Sequence, residues 1–234
     1  MRRLGRRSFR DMAWSIGLSM LGVCLIAGRV LAAQEVVIVD FGQEKDGVPP
    51  AGWELLKKRG KPDLALINDG IGQVLRLRSD SASFSLQKEV EIDLMKTPYL
   101  EWQWRVTELP KGGDFRRSST DDQAAQLYVM FTPDFLRKEV IAYVWDSTAP
   151  TETVGEPSFP PVYPFLGIKV IVVESGDTKE GKWITETRNV LEDYKKLFGG
   201  EPGKITGIRI QINSQHTKSK AESYWAYVKL KARP

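Results

Sequence analysis

Residues 99–131 read YLEWQWRVTELPKGGDFRRSSTDDQAAQLYVMF, two strand-like segments separated by a charged loop. In the first segment, apolar side chains occupy every second position, at Leu100, Trp102, Trp104 and Val106. The second segment repeats the pattern at Ala125, Leu127, Val129 and Phe131. A period of two places each set on one face of a pleated strand. We therefore predict two neighbouring strands of one sheet, with one buried face and a polar loop at one end.

The first 33 residues have the pattern of an export signal. Five arginines precede Asp11, a run of 17 mostly apolar residues follows, and RVLAA ends the segment. This order is typical of a cleaved signal peptide. Arg6-Arg7-Ser8-Phe9 resembles the twin-arginine motif, so export by that route and by general secretion both stay open. We expect a periplasmic or secreted protein without a stable membrane span after cleavage, because the apolar run is shorter than the ~20 residues that usually cross a bilayer.

Removing this segment changes the charge of the chain. The segment contains six arginines and one aspartate. Without it, 28 of the 34 basic residues and 29 of the 30 acidic residues remain, which gives a net charge of −1. The mature part therefore has no basic field of the kind that attracts nucleic acid. The single cysteine, Cys24, leaves with the signal, so we expect neither a disulfide nor thiol chemistry.

Residues 34–234 fit a single domain of short strands. Further strand-like segments follow one another along the chain, at 36–41, 64–67, 74–78, 82–86, 90–94, 140–145, 168–173, 205–212 and 224–230. Asn68-Asp69-Gly70 predicts a hairpin, and Asn189 followed by Glu192 predicts the start of one short helix near 189–198. The pattern predicts an all-β, two-sheet antiparallel sandwich of the jelly-roll type, similar to galactose-binding and carbohydrate-binding modules.

Motifs of known enzyme chemistry are weak in this chain. His216 is the only histidine, so a His/Cys zinc site and a serine triad are not indicated, and we interpret it as a solvated turn residue. We predict no resident cofactor or metal. The loop 111–122 leaves Ca²⁺ open as an alternative, because it offers several oxygen ligands.

Charged and aromatic side chains give candidate ligand contacts. Trp102 and Trp104 share a face with Leu100 and Val106, which predicts that they lie in the core. Trp145 and Trp183 lie at strand ends beside loops and are better candidates for stacking on a sugar, with packing beneath a loop as the alternative. The predicted binding mouth consists of Asp114, Arg116, Asp121, Asp122, Trp145, Trp183 and Arg188. Mutual neutralisation of the loop's charges is the other interpretation.

Several sequence blocks recur in the pattern of a known bacterial family. They are residues 102–104 (WQW), 109–110 (LP), 113–114 (GD), 121–131 (DDQAAQLYVMF), 143–145 (YVW), 183 (W), 188–190 (RNV), 193–194 (DY) and 198–199 (FG). In these blocks the chain resembles domain of unknown function 3047, which implies a secreted β-sandwich and no assigned activity. The family usually has arginine at the position of Gln126 and aspartates at those of Asn213 and Gln215. If those positions serve a shared ligand or metal, this chain has weakened the contact.

Three functional hypotheses follow. The first is a non-catalytic module that binds a polar glycan or another envelope component through the predicted mouth. The second is a hydrolase of an envelope polymer, which would use two carboxylates from Asp121, Asp122 and Asp193 in one cleft. The third is a protein–protein module of an envelope complex, which would use the proline-rich loop 146–164 and an exposed apolar patch around Phe159, Val162 and Phe165.

Overall fold

A computed structural model describes residues 34–45, 47–132, 134, 137–157 and 166–234, all of which belong to one compact unit. Within these ranges one helix follows the eleventh strand, α1 (Val190–Phe198). The thirteen described strands are β1 (Glu35–Asp40), β2 (Trp53–Arg59), β3 (Asp63–Asp69), β4 (Gly72–Asp80), β5 (Ser83–Ile92), β6 (Tyr99–Glu108), β7 (Ala125–Phe131), β8 (Lys138–Asp146), β9 (Val154–Gly155), β10 (Leu166–Ser175), β11 (Ile184–Asn189), β12 (Ile205–Asn213) and β13 (Lys220–Lys231). The predicted signal segment lies outside the described residues.

The strands form two sheets packed as a sandwich, which confirms the predicted fold class. The six-stranded sheet has the order β11-β6-β13-β4-β3, with β1 paired to the second half of β13. The seven-stranded sheet has the order β2-β5-β12-β7-β8-β10-β9. Described pairings are antiparallel except that of β8 with β10, which is parallel. The long connection between these two strands allows the chain to return to the same end of the sheet, as a parallel pair requires.

The alternation at 99–106 and 125–131 predicted the buried faces correctly but the strand partners wrongly. Trp102 and Trp104 on β6 are fully buried, and so are Leu127 and Val129 on β7. However, β6 belongs to the six-stranded sheet and β7 to the seven-stranded sheet. The two segments thus supply opposite walls of one core, and the charged loop between them crosses from one sheet to the other.

The aromatic centre of the core joins the two sheets. The ring of Trp104 lies 6.0 Å from that of Trp145 on β8 and 5.2 Å from that of Trp225 on β13. Trp102 packs against Tyr143 of β8 at 5.3 Å. Each of these side chains is fully buried. Burial of such large apolar groups supplies a major part of the folding free energy.

The predicted hairpin and helix are both present. The β3–β4 hairpin closes at the pair Asp69 and Gly72. The side chain of Asn189 caps α1 by accepting a hydrogen bond from the backbone N–H of Glu192, 3.2 Å away. Tyr194 of this helix packs on Phe131 of β7, with ring centres 4.9 Å apart, so the helix closes one end of the core. No described helix is long and apolar enough to cross a membrane.

Candidate functional site

The structure places the charged residues of the predicted mouth in separate, internally bonded groups. Asp114 is only 3% exposed, and its carboxylate accepts hydrogen bonds from Arg116 Nε at 2.8 Å and Nη2 at 2.9 Å. The Arg116 guanidinium holds the pKa of Asp114 below its ordinary value. This pair therefore supports the alternative that the charges of the loop satisfy one another.

Asp122 also has a partner in the fold. It is fully buried, and its Oδ2 accepts hydrogen bonds from the backbone N–H and the hydroxyl of Thr217, at 2.6 and 2.8 Å. These contacts tie the loop before β7 to the turn after β12. Asp146 has a similar structural role nearby, because its carboxylate accepts hydrogen bonds from the backbone N–H groups of Phe115, Thr148 and Ala149. Both carboxylates organise loop backbone.

The two candidate tryptophans lie in different environments. Trp145 is fully buried in the core, and its Nε1 donates to the carbonyl of Gly176 at 3.0 Å. It therefore presents no ring surface for stacking, and the packing alternative describes it better. Trp183 is half-buried beside Arg105, whose Cζ lies 5.2 Å from the Trp183 ring centre. Since Arg105 alternates with buried residues of β6, Trp183 lies on the outside of the six-stranded sheet.

Arg188 forms a third group at the edge of the sandwich. Its guanidinium donates to both carboxylate oxygens of Asp193, at 3.1 and 3.0 Å, and to Glu152 at 2.9 Å. The hydroxyl of Tyr143 donates to Asp193 at 2.9 Å. Burial and the neighbouring Asp193 raise the pKa of Tyr143, so the hydroxyl stays protonated as a donor. The group joins β8, β11 and α1.

Of the seven predicted residues, only Asp121 lines a concave surface of mixed polar and apolar side chains on the seven-stranded sheet. This surface, called the groove below, has a volume of 480 Å³ and lies on the outer face of the seven-stranded sheet. Its lining residues are Lys58, Phe115, Asp121, Gln123, Gln126, Tyr128, Val144, Pro157, Leu166, Ile168, Val170, Arg209, Gln211, Asn213 and His216. An adjoining hollow of 590 Å³ shares Tyr128, Leu166, Ile168 and Arg209 with it.

Strand register divides the groove into a polar and an apolar half. One row across the sheet runs Gln87, Arg209, Tyr128, Ala142 and Val170, on β5, β12, β7, β8 and β10. The next row runs Ser85, Gln211, Gln126, Val144 and Val172 on the same strands. The central strands therefore carry amides, a phenol and a guanidinium, while the parallel pair carries small aliphatic side chains.

A hydrogen-bond network fixes the polar half. Gln126 Nε2 donates to Asn213 Oδ1 at 2.6 Å, and Asn213 Nδ2 donates to the backbone oxygen of Asp121 at 2.7 Å. The Tyr128 hydroxyl donates to Gln126 Oε1 at 2.5 Å. Gln211 Nε2 lies 3.3 Å from both Gln126 Oε1 and the Tyr128 oxygen. The floor is thus held in place by bonds between its own side chains, which favours a preformed site.

Two ionisable groups of the groove have shifted pKa values. Burial raises the pKa of Asp121 to about 6, against an opposing hydrogen bond from Gln123 and the nearby His216 and Lys58. Burial also lowers the pKa of Arg209, although a guanidinium remains charged at ordinary pH. His216 is exposed in the turn after β12, as predicted, and forms part of the rim.

The described residues of the groove provide few groups for hydrolysis or for metal binding. Of the three carboxylates considered for catalysis, Asp193 is bound by Arg188 and Asp122 by Thr217, which leaves Asp121 at the groove. Among the described residues, no group of three or more His, Cys, Asp or Glu side chains is arranged to hold a metal ion. The apolar patch expected at Phe159, Val162 and Phe165 lies outside the described residues.

Sequence reasoning missed most of the groove. Arg209, Gln211 and Asn213 alternate with buried isoleucines on β12, and Gln126 and Tyr128 alternate with buried residues on β7. This polar alternation was visible in the sequence, but it does not reveal that β7 and β12 are neighbours. Besides Asp121, the family pattern pointed to the groove, because two of its three departures, Gln126 and Asn213, line it.

Comparison with known protein families identifies one match. The model of a family described as "Protein of unknown function (DUF3047)" matches residues 51–229, which confirms the resemblance found in the sequence. No curated protein matches the chain significantly.

Similar solved structures include the family 11 carbohydrate-binding module of a Clostridium thermocellum cellulase, with 9% identity, a TM-score of 0.47 and coverage of 85% of this chain and 95% of that one. The xyloglucanase domain of NopAA from Sinorhizobium fredii has 10% identity, a TM-score of 0.49 and coverage of 85% and 98%. Endoglucanase cel12A from Rhodothermus marinus has 7% identity, a TM-score of 0.47 and coverage of 85% and 99%. At these identities the likeness concerns the fold alone.

Proposed function

The chain belongs to the DUF3047 family, and we propose that its mature domain is an exported, non-catalytic module that binds a polar glycan in the groove. The division of the groove into a polar and an apolar half carries this proposal. Sugar rings have hydroxyl groups at their edges and C–H groups on their faces, so they need both kinds of surface. The amides of Gln126 and Gln211 offer donors and acceptors, while Val144 and Val170 offer aliphatic contact.

Gln211 is the amide best placed to contact a ligand. It is half-buried, whereas Gln126 is 2% exposed and already bonded to three side chains. The Oε1 of Gln211 accepts a hydrogen bond from no described residue and is therefore available to a hydroxyl donor. Since Tyr128 and Gln126 hold its Nε2, the amide is oriented before a ligand arrives.

Binding fits the groove better than hydrolysis does. Glycosidases usually act through two carboxyl groups on opposite sides of the scissile bond. Among the described residues that line the groove, Asp121 is the only carboxylate; Glu89 lines the adjoining hollow instead. Export of the domain, expected from residues 1–33, would bring it to envelope glycans. The net charge of −1 on the mature chain argues against nucleic acid as the ligand.

A glycan array followed by titration calorimetry tests the proposal. We expect at least one polar oligosaccharide to bind, and Gln211→Ala to weaken its affinity about tenfold, the effect of one lost hydrogen bond. Gln103→Ala is the matched control, because it removes a half-buried amide from the outer face of the other sheet. Silence of every sugar, or equal losses in both variants, would overturn the proposal. Release of new reducing ends from an envelope polymer would instead favour the hydrolase alternative.

A further inference from the structure

Arg209 differs from the other half-buried arginines of the described residues. Those three each have a carboxylate partner: Arg76 pairs with Asp63 at 3.0 Å, Arg105 with Asp69 at 2.9 Å and Arg188 with Asp193 at 3.0 Å. Arg209 forms no ion pair with any described residue. Among the described residues, Arg209 therefore has no carboxylate within ion-pair distance, and Asp121, which lines the same groove, forms no pair with it.

The immediate contacts of Arg209 are neutral. Its Nε and Nη2 both donate to Gln87 Oε1, at 2.9 and 2.6 Å, and its Cζ lies 5.7 Å from the Tyr128 ring centre. The remaining nitrogen, Nη1, donates to no described residue. A partly buried cation without a counter-ion is unfavourable, and a neutral amide compensates it only in part. Gln87 fixes one edge of the guanidinium and leaves the other edge for a ligand.

The position of Arg209 is central to the concave surface. It lies on β12, between β5 and β7, and it lines both the groove and the adjoining hollow. Gln211, the proposed hydroxyl contact, is two residues along the same strand and so projects from the same face. A ligand whose hydroxyl groups contact Gln211 can therefore place a neighbouring substituent over Arg209.

We propose that Arg209 binds an oxyanion substituent of the glycan, so that the ligand of the groove is an acidic sugar. This inference rests on the proposed function and specifies its ligand class. The planar guanidinium pairs with a sugar carboxylate or a sugar phosphate through charge-assisted hydrogen bonds. Lys58 on the rim and Lys138 beside the adjoining hollow add positive charge on either side.

The inference is tested with three trisaccharide probes of one sugar series: the uronic acid, its methyl ester and the neutral sugar carrying one phosphate. We expect the wild-type domain to bind the acid or the phosphate at least about tenfold more tightly than the ester, the usual effect of a charge-assisted hydrogen bond. Whichever of the two anions binds more tightly identifies the source of the oxyanion. Calorimetry at low and moderate salt gives the affinities.

Arg209→Met is the principal variant, because methionine keeps much of the aliphatic stem. We expect it to bind acid and ester equally. Arg78→Met is its control, since it removes the same charge from an exposed arginine on β4 of the other sheet. The wild-type comparison of acid with ester needs no variant and remains decisive if Arg209→Met fails to fold. Arg209→Lys, which keeps the charge but loses the planar fork, should retain part of the preference.

Each outcome bears on the inference. Equal binding of acid, phosphate and ester by the wild type overturns it but leaves glycan binding in the groove intact. An anion preference that persists in Arg209→Met also overturns it, because the anchor then lies elsewhere. Binding of none of the probes, combined with silence of the glycan array, removes the proposed function and this inference together.

Discussion

Arg188 and Arg209 are both half-buried arginines at the surface of the sandwich, yet their hydrogen-bond partners differ in charge. Arg188 donates to Asp193 through two nitrogens and to Glu152 through a third. Among the described residues, Arg209 contacts only the neutral oxygen of Gln87 and the face of Tyr128 in this way. The first arginine is neutralised by the chain itself, which identifies a structural role. The second retains an unmatched charge inside a concave surface, which indicates that its partner comes from outside.

The largest effect is expected at the paired site. Asp193→Ala would leave the buried Tyr143 hydroxyl without its acceptor and the Arg188 guanidinium with the exposed Glu152 alone. Breaking a buried ion pair by removing one partner typically costs about 3 kcal/mol of unfolding free energy. Urea unfolding measures the change, and Glu201→Ala is the control, because its pair with Lys195 is exposed and should be worth under about 0.5 kcal/mol. Equal losses in both variants would show that Asp193 has no special structural role.

Methionine in place of each arginine compares the two environments directly. Arg188→Met should cost about 2 kcal/mol, because Asp193 is then buried without its cation. Arg209→Met should change stability by less than about 0.5 kcal/mol or raise it, since no described carboxylate pairs with the charge that it removes. The two variants carry the same substitution, so urea unfolding of both isolates the effect of the environment. A loss at Arg209 as large as that at Arg188 would mean that the groove arginine also supports the fold.

The sequence allowed the buried faces and most strands to be predicted, for a simple physical reason. Alternation reports which side of a strand faces the core, and Trp102, Trp104 and Val129 obeyed it. It does not report which strand lies beside which, so 99–106 and 125–131 were wrongly paired. The parallel alignment of β8 with β10 was missed for the same reason, because strand direction in a sheet depends on the path of the connection.

The candidate site was harder to predict than the fold. Charged loop residues such as Asp114 and Arg116 attracted attention, but neighbours in a loop are well placed to neutralise each other. The groove residues Gln126, Tyr128 and Arg209 come from different strands and converge only through sheet order. A residue without a partner cannot be recognised until every nearby side chain is known. The departure from the family pattern at Gln126 therefore indicated the position of the groove better than the high density of charged residues in the loop did.

Asp121 gives a smaller, pH-dependent effect. Burial raises its folded-state pKa to about 6, above the ordinary value near 3.9 in an unfolded chain. The group therefore stabilises the fold fully below about pH 4, and this contribution is lost as the pH rises through about 6. Asp121→Asn should match the wild type at low pH and exceed it above pH 6 by on the order of 1 kcal/mol, a figure reduced for solvent contact.

Unfolding of both proteins at several pH values checks this prediction. The difference between them matters, because other buried carboxyls, such as Asp146, also have a raised pKa. The ionisable groups that act on Asp121 are Lys58, Asp122 and His216. A parallel shift at all pH values would contradict the prediction. If an acidic sugar binds, its affinity should also rise as Asp121 takes up a proton, and Asp121→Asn should lose that dependence.

The smallest change in stability is expected for a substitution that gives Arg209 a carboxylate partner, as Arg188 already has. Gln87→Glu replaces the neutral amide oxygen that accepts hydrogen bonds from Arg209 with a carboxylate. Arg209 would then have an ion pair within the chain, as Arg188 has. We expect a gain of about 0.5 kcal/mol, because the new pair is partly exposed. The preference for an acidic over an esterified sugar should nevertheless disappear, since a resident anion then competes for the guanidinium. Gln103→Glu, on the outer face of the other sheet, adds the same charge and should leave that preference unchanged. If the Gln87→Glu domain still prefers the acidic sugar, Arg209 does not bind the ligand's anionic group.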